Sequence, residues 1–123
     1  MNIDDLIEGC WVSMRPQRIR RAVLNKVRCA RLVMMALSHF PDRELAEFSP
    51  SSAAERQLKR GLANEIEAKF RQQTAEPTNT YDAVFFSIVL AWAIKFIIEY
   101  LIQQWRKNEF SMDAIRQQYG WTR

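Results

Sequence analysis

Residues 83–102, AVFFSIVLAWAIKFIIEYLI, constrain the fold more than any other stretch of the chain. Twelve of these residues are Leu, Ile, Val or Phe, and neither Gly nor Pro interrupts them. The stretch therefore predicts a helix that buries most of its circumference. Twenty residues are also enough to cross a bilayer, so the helix is either a core element or a membrane span.

The free energy of membrane insertion does not separate these two alternatives. On a translocon scale the twelve apolar residues favour insertion by about 4–7 kcal/mol in total. Lys95 opposes it by about 2.5–3.5 kcal/mol, and we assign Glu99 a similar cost. A span is therefore marginal, although snorkelling or a Lys95–Glu99 pair one helical turn apart would assist it.

The spacing of the polar residues is more informative than their number. They recur every four residues, with Ala91 between the first and second, and they form one thin seam along the helix: Ser87, Lys95, Glu99 and Gln103. Such a seam is typical of a central bundle helix with one strip facing water or polar partners. The apolar residues that we expect at an interface are Phe85, Phe86, Val89, Trp92, Phe96 and Tyr100.

The whole chain is predicted to be all-α, because it has only three Gly and four Pro and its apolar residues follow helical periods. We expect one domain, 1–123, built as a small bundle of three long helices plus short N-terminal, middle and C-terminal helices. The predicted long helices are 16–40, 52–73 and 81–108. The short ones are 2–13, 41–48 and a C-terminal helix that follows Ser111 as its N-cap and ends before Gly120. Residues 74–80 are a linker between the N-terminal helices, 1–73, and the apolar helix with its short C-terminal helix, 81–123.

Apolar stripes and capping residues place these helices. In the second helix the stripe consists of Ile19, Val23, Val27, Ala30, Met34 and Leu37, and in the third of Leu58, Leu62, Ile66 and Phe70. Asn2, Ser52, Thr80 and Ser111 are predicted N-caps, and Glu55 has the capping-box spacing from Ser52. Gly61, inside the third helix, indicates close packing against a neighbour.

Positive charge is concentrated in residues 15–31, which hold seven Lys or Arg and no acid, whereas residues 1–14 hold three acids and no Lys or Arg. The candidate anion-binding residues are Arg18, Arg20, Arg21, Arg28 and Arg31. Guanidinium groups on one helix face contact the phosphates of nucleic acid, an anionic membrane surface or an acidic partner. Alternatively, this face is solvated and pairs with the acids of residues 4–8.

Catalytic and metal chemistry find little support. Cys10, Cys29 and His39 lack the number and spacing of a zinc site, and the glycines form no phosphate-binding loop. Asp4, Asp5 and Glu8 share a helix face, but acids near a helix N-terminus are favoured by the dipole alone. We predict no catalytic residue, no metal, no cofactor and no small-molecule substrate.

The two cysteines and the N-terminus bear on localisation. We expect Cys10 and Cys29 to be buried thiols, with a disulfide between them as the alternative. The first residues lack the basic region and apolar run of a secretory signal. The predicted location is a reducing intracellular compartment or the inside of an assembled particle, with membrane association as the alternative.

A helix of about 28 residues is roughly 42 Å long, and the narrow stripes of the other helices are too small to cover it. Other protein subunits, identical or different, or lipid must therefore complete its burial. We expect a non-enzymatic structural subunit of a larger complex, such as a virus particle. The alternatives are a single-span membrane protein with Trp105, Arg106 and Lys107 at the cytoplasmic boundary, and a helical module that binds nucleic acid through residues 15–31.

Overall fold

A computed structural model describes residues 2–14, 24–40, 50–74, 80–107 and 110–119. It contains five α-helices, which are α1 (Ile3–Met14), α2 (Lys26–His39), α3 (Ala53–Gln73), α4 (Thr80–Arg106) and α5 (Met112–Tyr119). Helices hold 88% of the described residues, and none of these residues lies in a strand. The all-α prediction is confirmed, while the predicted middle helix, 41–48, lies outside the described residues.

Helix α1 begins with the predicted cap. The Asn2 side-chain oxygen accepts a hydrogen bond from the Asp5 N–H at 2.9 Å, and the Asp5 carboxylate accepts one from the Asn2 N–H at 3.3 Å. This reciprocal pair satisfies two backbone donors that the first helical turn leaves free. The inner face of α1 is fully buried and consists of Ile3, Leu6, Cys10 and Met14.

Helix α2 is shorter than predicted. Asn25 has an extended backbone, and its side-chain oxygen accepts a hydrogen bond from the Arg28 N–H at 2.9 Å, so the helix begins at Lys26. A continuous helix over 16–40 is therefore wrong at residues 24–25, and residues 15–23 lie outside the described part. The reason is local, because an Asn side chain competes for backbone donors and favours a cap over a helix interior.

The predicted stripe of α2 is also wrong in phase. Val27 and Met34 are exposed, whereas the buried residues are Cys29, Leu32, Val33, Met35, Ala36 and Leu37. The predicted stripe assumes one continuous helix from Ile19 and Val23 onward. Because α2 begins only after the cap at Asn25, the spacing from those two positions does not carry over into α2. Within residues 32–37 every side chain is apolar, so the sequence alone does not indicate which face turns inward.

Helix α3 buries the predicted face, since Leu62, Ile66 and Phe70 are buried and Leu58 packs against them. Gly61 does not have the predicted role. It is exposed, and a Cβ atom placed on it would meet nothing within 4 Å. The glycine that does make a close approach is Gly9 of α1, where a Cβ atom would overlap the Tyr100 hydroxyl group.

Helices α3 and α4 are antiparallel and make the most extensive helix–helix contact within the described residues. Glu55 lies beside Arg106, Lys59 beside Glu99 and Arg71 beside Ser87. The C-terminal part of α3 thus packs against the N-terminal part of α4, and the N-terminal part of α3 against the C-terminal part of α4. At the far end of α4, Trp105 stacks on Phe40 with 5.2 Å between ring centroids, and Arg116 of α5 donates a hydrogen bond to the Phe40 carbonyl.

The two cysteines are free thiols and both are buried. They meet where α1 packs on α2, and a hydrogen bond between them, followed by burial, raises the pKa of Cys10. A protonated thiol at this position behaves as a small apolar side chain. The expectation of buried thiols rather than a disulfide agrees with the structure.

Candidate functional site

The polar seam of α4 lies against α3. The Ser87 hydroxyl accepts a hydrogen bond from Arg71 at 3.0 Å, and Glu99 pairs with Lys59 at 2.9 Å. Lys95 and Gln103 of the same seam are exposed. The Lys95–Glu99 pair considered above does not form, because Glu99 is used by Lys59 from the neighbouring helix.

A buried carboxylate, Glu55, joins the end of α4 to the beginning of α3. Only 4% of the residue is exposed, and its carboxylate accepts a hydrogen bond from the Ser51 N–H at 2.7 Å. Its other oxygen lies 3.0 Å from Arg106, an ion pair without hydrogen-bond geometry, and 3.5 Å from Lys59. The predicted cap is confirmed at Ser52, whose hydroxyl accepts from the Glu55 N–H at 3.2 Å.

These contacts shift two pKa values. Burial acts to raise the pKa of Glu55, but the Ser51 hydrogen bond and the charges of Lys59 and Arg106 outweigh it and leave the pKa lowered. For Lys59, burial acts to lower the pKa, and the hydrogen bond and charge of Glu99, together with Glu55, outweigh it and raise the pKa. Both groups are therefore charged at neutral pH, and the network holds the end of α4 to α3.

Beside this network the two helices form an open groove of about 500 Å³, which we call the α3–α4 groove. Four cations line it: Arg56, Lys59, Arg60 and Lys95. Its remaining walls are Ala63, Ala91, Ile98 and Glu99. Lys59 is neutralised by Glu99, whereas Arg60 and Lys95 make no ion pair or hydrogen bond with any described residue. The groove therefore presents unneutralised positive charge above an apolar floor.

The groove continues along α4 as an exposed surface, which we call the α4 outer face: Val84, Ile88, Ala91 and Lys95. It is apolar except for Lys95, where it joins the groove. Val84 is 56% exposed and Ile88 is 63% exposed. These positions are separated by steps of four, three and four residues, so they share one side of the helix. Exposed large apolar side chains are confined to the first half of α4 among the described residues, since Ile97, Ile98, Leu101 and Ile102 of the second half are buried.

Part of the first half of α4 is thus exposed, and its coverage by a partner or by lipid stays a prediction. The list of expected interface residues needs a correction at Phe86, which is buried in the core. Sequence reasoning missed Val84 and Ile88, because α4 is apolar almost all round and its periodicity does not define an outer face.

Apart from Phe86, the aromatic residues between positions 85 and 105 of α4 are partly buried. Trp92 stacks on Phe96 with 5.4 Å between ring centroids, and both pack against the core together with Val89 and Tyr100. Phe85 is half-buried. Burial raises the pKa of Tyr100. Trp105 is partly buried and stacks on Phe40 at the rim of the core.

Three of the five predicted anion-binding residues, Arg18, Arg20 and Arg21, lie outside the described residues. Arg28 is half-buried, and Arg31 is exposed beside a shallow surface groove that Met34 and Lys69 also line. Lys26 pairs with Glu8 of α1, which is one of the acid pairings anticipated for this segment. Nucleic-acid binding through residues 15–31 therefore stays a prediction.

The part of the chain that the structure describes contains no group of three or more His, Cys, Asp or Glu side chains arranged to hold a metal ion. His39 does have a partner that its sequence neighbours did not indicate, because its Nδ1 lies 2.9 Å from the Glu65 carboxylate on α3. A partner 26 positions away leaves no local sequence signal.

One described helix, Ala83–Arg106, is long and apolar enough to cross a membrane, judged by length and composition alone. In its most apolar window, 44% of the residues are buried against the rest of the chain. Core helices of soluble proteins pass the same test. No protein family matches the chain, and neither a curated protein nor a solved structure is significantly similar to it.

Proposed function

We propose that this chain is a non-enzymatic helical subunit of a larger protein complex and that it docks through the α4 outer face. The observation that carries the proposal is the exposure of Val84 and Ile88, one turn apart, on a helix whose other half is core. Because these side chains are only 56% and 63% exposed, burying the remainder in an interface stabilises it by about 1–2 kcal/mol each. The adjoining cations of the α3–α4 groove add charge at one end of this apolar surface.

The surroundings of α4 favour a protein partner over lipid. Lys59, Glu67 and Arg71 of α3 lie along its polar seam and are engaged in ion pairs or hydrogen bonds there. If α4 crossed a bilayer in this arrangement, α3 and its charges would enter the hydrocarbon with it, at several kcal/mol for each charge. A protein surface that covers only the α4 outer face requires no such transfer.

The test compares surface variants of the purified chain. Val84→Ser with Ile88→Ser removes the exposed apolar side chains of α4, and Val27→Ser with Met34→Ser removes two exposed ones of α2 as a matched control. We expect the α4 pair alone to reduce binding of an apolar fluorescent dye and to shift the native mass towards the monomer. Because both pairs are at the surface, unfolding free energies should change by less than about 0.5 kcal/mol.

Native mass is measured with and without detergent, which separates a protein assembly from a lipid-bound form. A wild-type chain that binds no dye and stays monomeric in plain buffer contradicts the proposal. Equal dye binding by the two pairs of variants also contradicts it, because the exposed apolar surface would then not be that of α4.

A further inference from the structure

The outer face of α1 has the chemistry opposite to that of the α3–α4 groove. Asp4, Asp5, Glu8 and Val12 are all exposed, Val12 by 50%, and they fall within about 100° of one another around the helix. Glu8 pairs with Lys26, but Asp4 and Asp5 make no ion pair with any described residue. The α1 outer face is thus acidic at its beginning and apolar at its end.

The α3–α4 groove and the α4 outer face together have a matching arrangement, with positive charge at one end and apolar side chains at the other. Lys95 and Arg60 place unneutralised positive charge at the groove, and Ile88 and Val84 follow along α4 as an apolar surface. A ligand that matches both parts is elongated, acidic at one end and apolar at the other. The α1 outer face has these properties.

We propose that the α1 outer face of one copy docks on the α3–α4 groove and α4 outer face of a second copy. This inference rests on the proposed function, since it uses the same exposed surface of α4, and it identifies the partner as the chain itself. Asp4 lies about 12 Å from Val12 along α1, and Lys95 lies about 10.5 Å from Ile88 along α4. An α1 helix laid antiparallel on α4 therefore brings Asp4 to Lys95 and Val12 to Ile88.

The proposed contact joins two different surfaces, so each copy offers both halves of the interface. Such a heterologous contact extends into a ring or an open chain and does not stop at a dimer. Helix α1 has only about three turns, so the area buried is below the roughly 800 Å² per partner of a stable complex. Association is therefore weak and increases with protein concentration.

A charge exchange between two variants tests the contact. Asp4→Lys and Lys95→Glu each place like charges at the proposed junction, and each is expected to weaken self-association by about fivefold. In an equimolar mixture the lysine at position 4 meets the glutamate at position 95, and native α1 meets the native groove. The mixture should therefore associate within about twofold of wild type.

The measurement is sedimentation equilibrium over a wide range of concentration, with far-UV circular dichroism to verify folding. Neither Asp4 nor Lys95 makes an ion pair within the described chain, so both variants should fold. Lys69→Glu is the matched control, because it makes the same charge change at an exposed site away from the groove and should leave association unchanged.

The outcomes separate this inference from the proposed function. A wild-type chain that stays monomeric but still binds dye through Val84 and Ile88 overturns the inference and leaves a different protein as partner. Association that the α4 serine variants abolish but the charge variants do not change also overturns the inference alone. Association that requires anionic vesicles, or that the mixture fails to restore, overturns it as well.

Discussion

At the scale of single residues, two helical glycines have opposite surroundings. Gly61 of α3 is exposed with open space around it, whereas Gly9 of α1 lies directly against the Tyr100 hydroxyl group of α4. Gly61 lowers the stability of α3 relative to alanine, and no close contact requires a glycine there. Gly9 allows α1 and α4 to approach each other.

We expect the same substitution to have opposite effects at these two sites. Gly61→Ala should raise the free energy of unfolding by about 0.5–1 kcal/mol, because alanine loses less backbone entropy in a helix. Gly9→Ala should lower it by about 1–3 kcal/mol, because the new methyl group displaces the tyrosine. Urea denaturation of both variants measures the difference.

A double-mutant cycle isolates the cause at Gly9. Adding Tyr100→Phe to Gly9→Ala removes the hydroxyl group that the methyl group meets, so part of the lost stability should return. Additive effects of the two substitutions would show that the close contact does not matter.

The buried carboxylate of Glu55 gives a pH dependence. Its pKa is lowered in the folded chain, so the stabilisation is fully present above the unfolded pKa, near 4.5, and is lost as the pH falls through the folded pKa. Glu55→Gln should cost about 1.5–3 kcal/mol at pH 7, because charge-assisted contacts with Lys59 and Arg106 are removed.

The variant should also lose less stability than wild type between pH 6 and pH 3, a range we choose to bracket the carboxylate titration. Denaturation midpoints at several pH values measure this. Glu65→Gln is the control, since the Glu65 carboxylate is exposed beside His39 and should contribute no more than about 1 kcal/mol. Parallel pH profiles of wild type and Glu55→Gln would contradict the assignment.

At the scale of helices, Asn25 decides where α2 begins. If it is a cap, as the structure has it, Asn25→Ala should destabilise the chain by about 1 kcal/mol. If residues 16–40 formed one helix, the same substitution would stabilise it, because Ala has the higher helix propensity. Asn64→Ala, in the exposed middle of α3, is the matched control and should be stabilising. Thermal and urea denaturation provide the sign of each effect.

At the scale of the whole molecule, the position of α3 along α4 determines how the chain meets membranes. Since charged side chains of α3 follow the polar seam of α4, we expect the expressed chain to be released from cell membranes by alkaline carbonate. Fractionation with an integral membrane protein as marker measures this. Retention in the carbonate-washed pellet would favour a membrane span and would contradict the bundle as the functional form.

Signals carried by neighbouring residues were sufficient for much of the fold. Three of the predicted caps, Asn2, Ser52 and Ser111, each accept the expected backbone hydrogen bond. The fourth, Thr80, is instead the first residue of α4. The repeat of Leu62, Ile66 and Phe70 predicted the buried face of α3. Capping and amphipathic periodicity act within a few residues, so the sequence displays them directly.

The candidate site depended on contacts that are distant in sequence. Lys59 and Glu99 are separated by 40 positions, and only the antiparallel packing of α3 on α4 brings them together. The same packing decided that Phe86 is buried while Val84 and Ile88 are exposed. The sequence by itself determined a helical chain with one very apolar helix, because local propensity and periodicity suffice for that. The tertiary structure decided which side of that helix remains uncovered, because a helix apolar almost all round has no inner face until its neighbours pack against it.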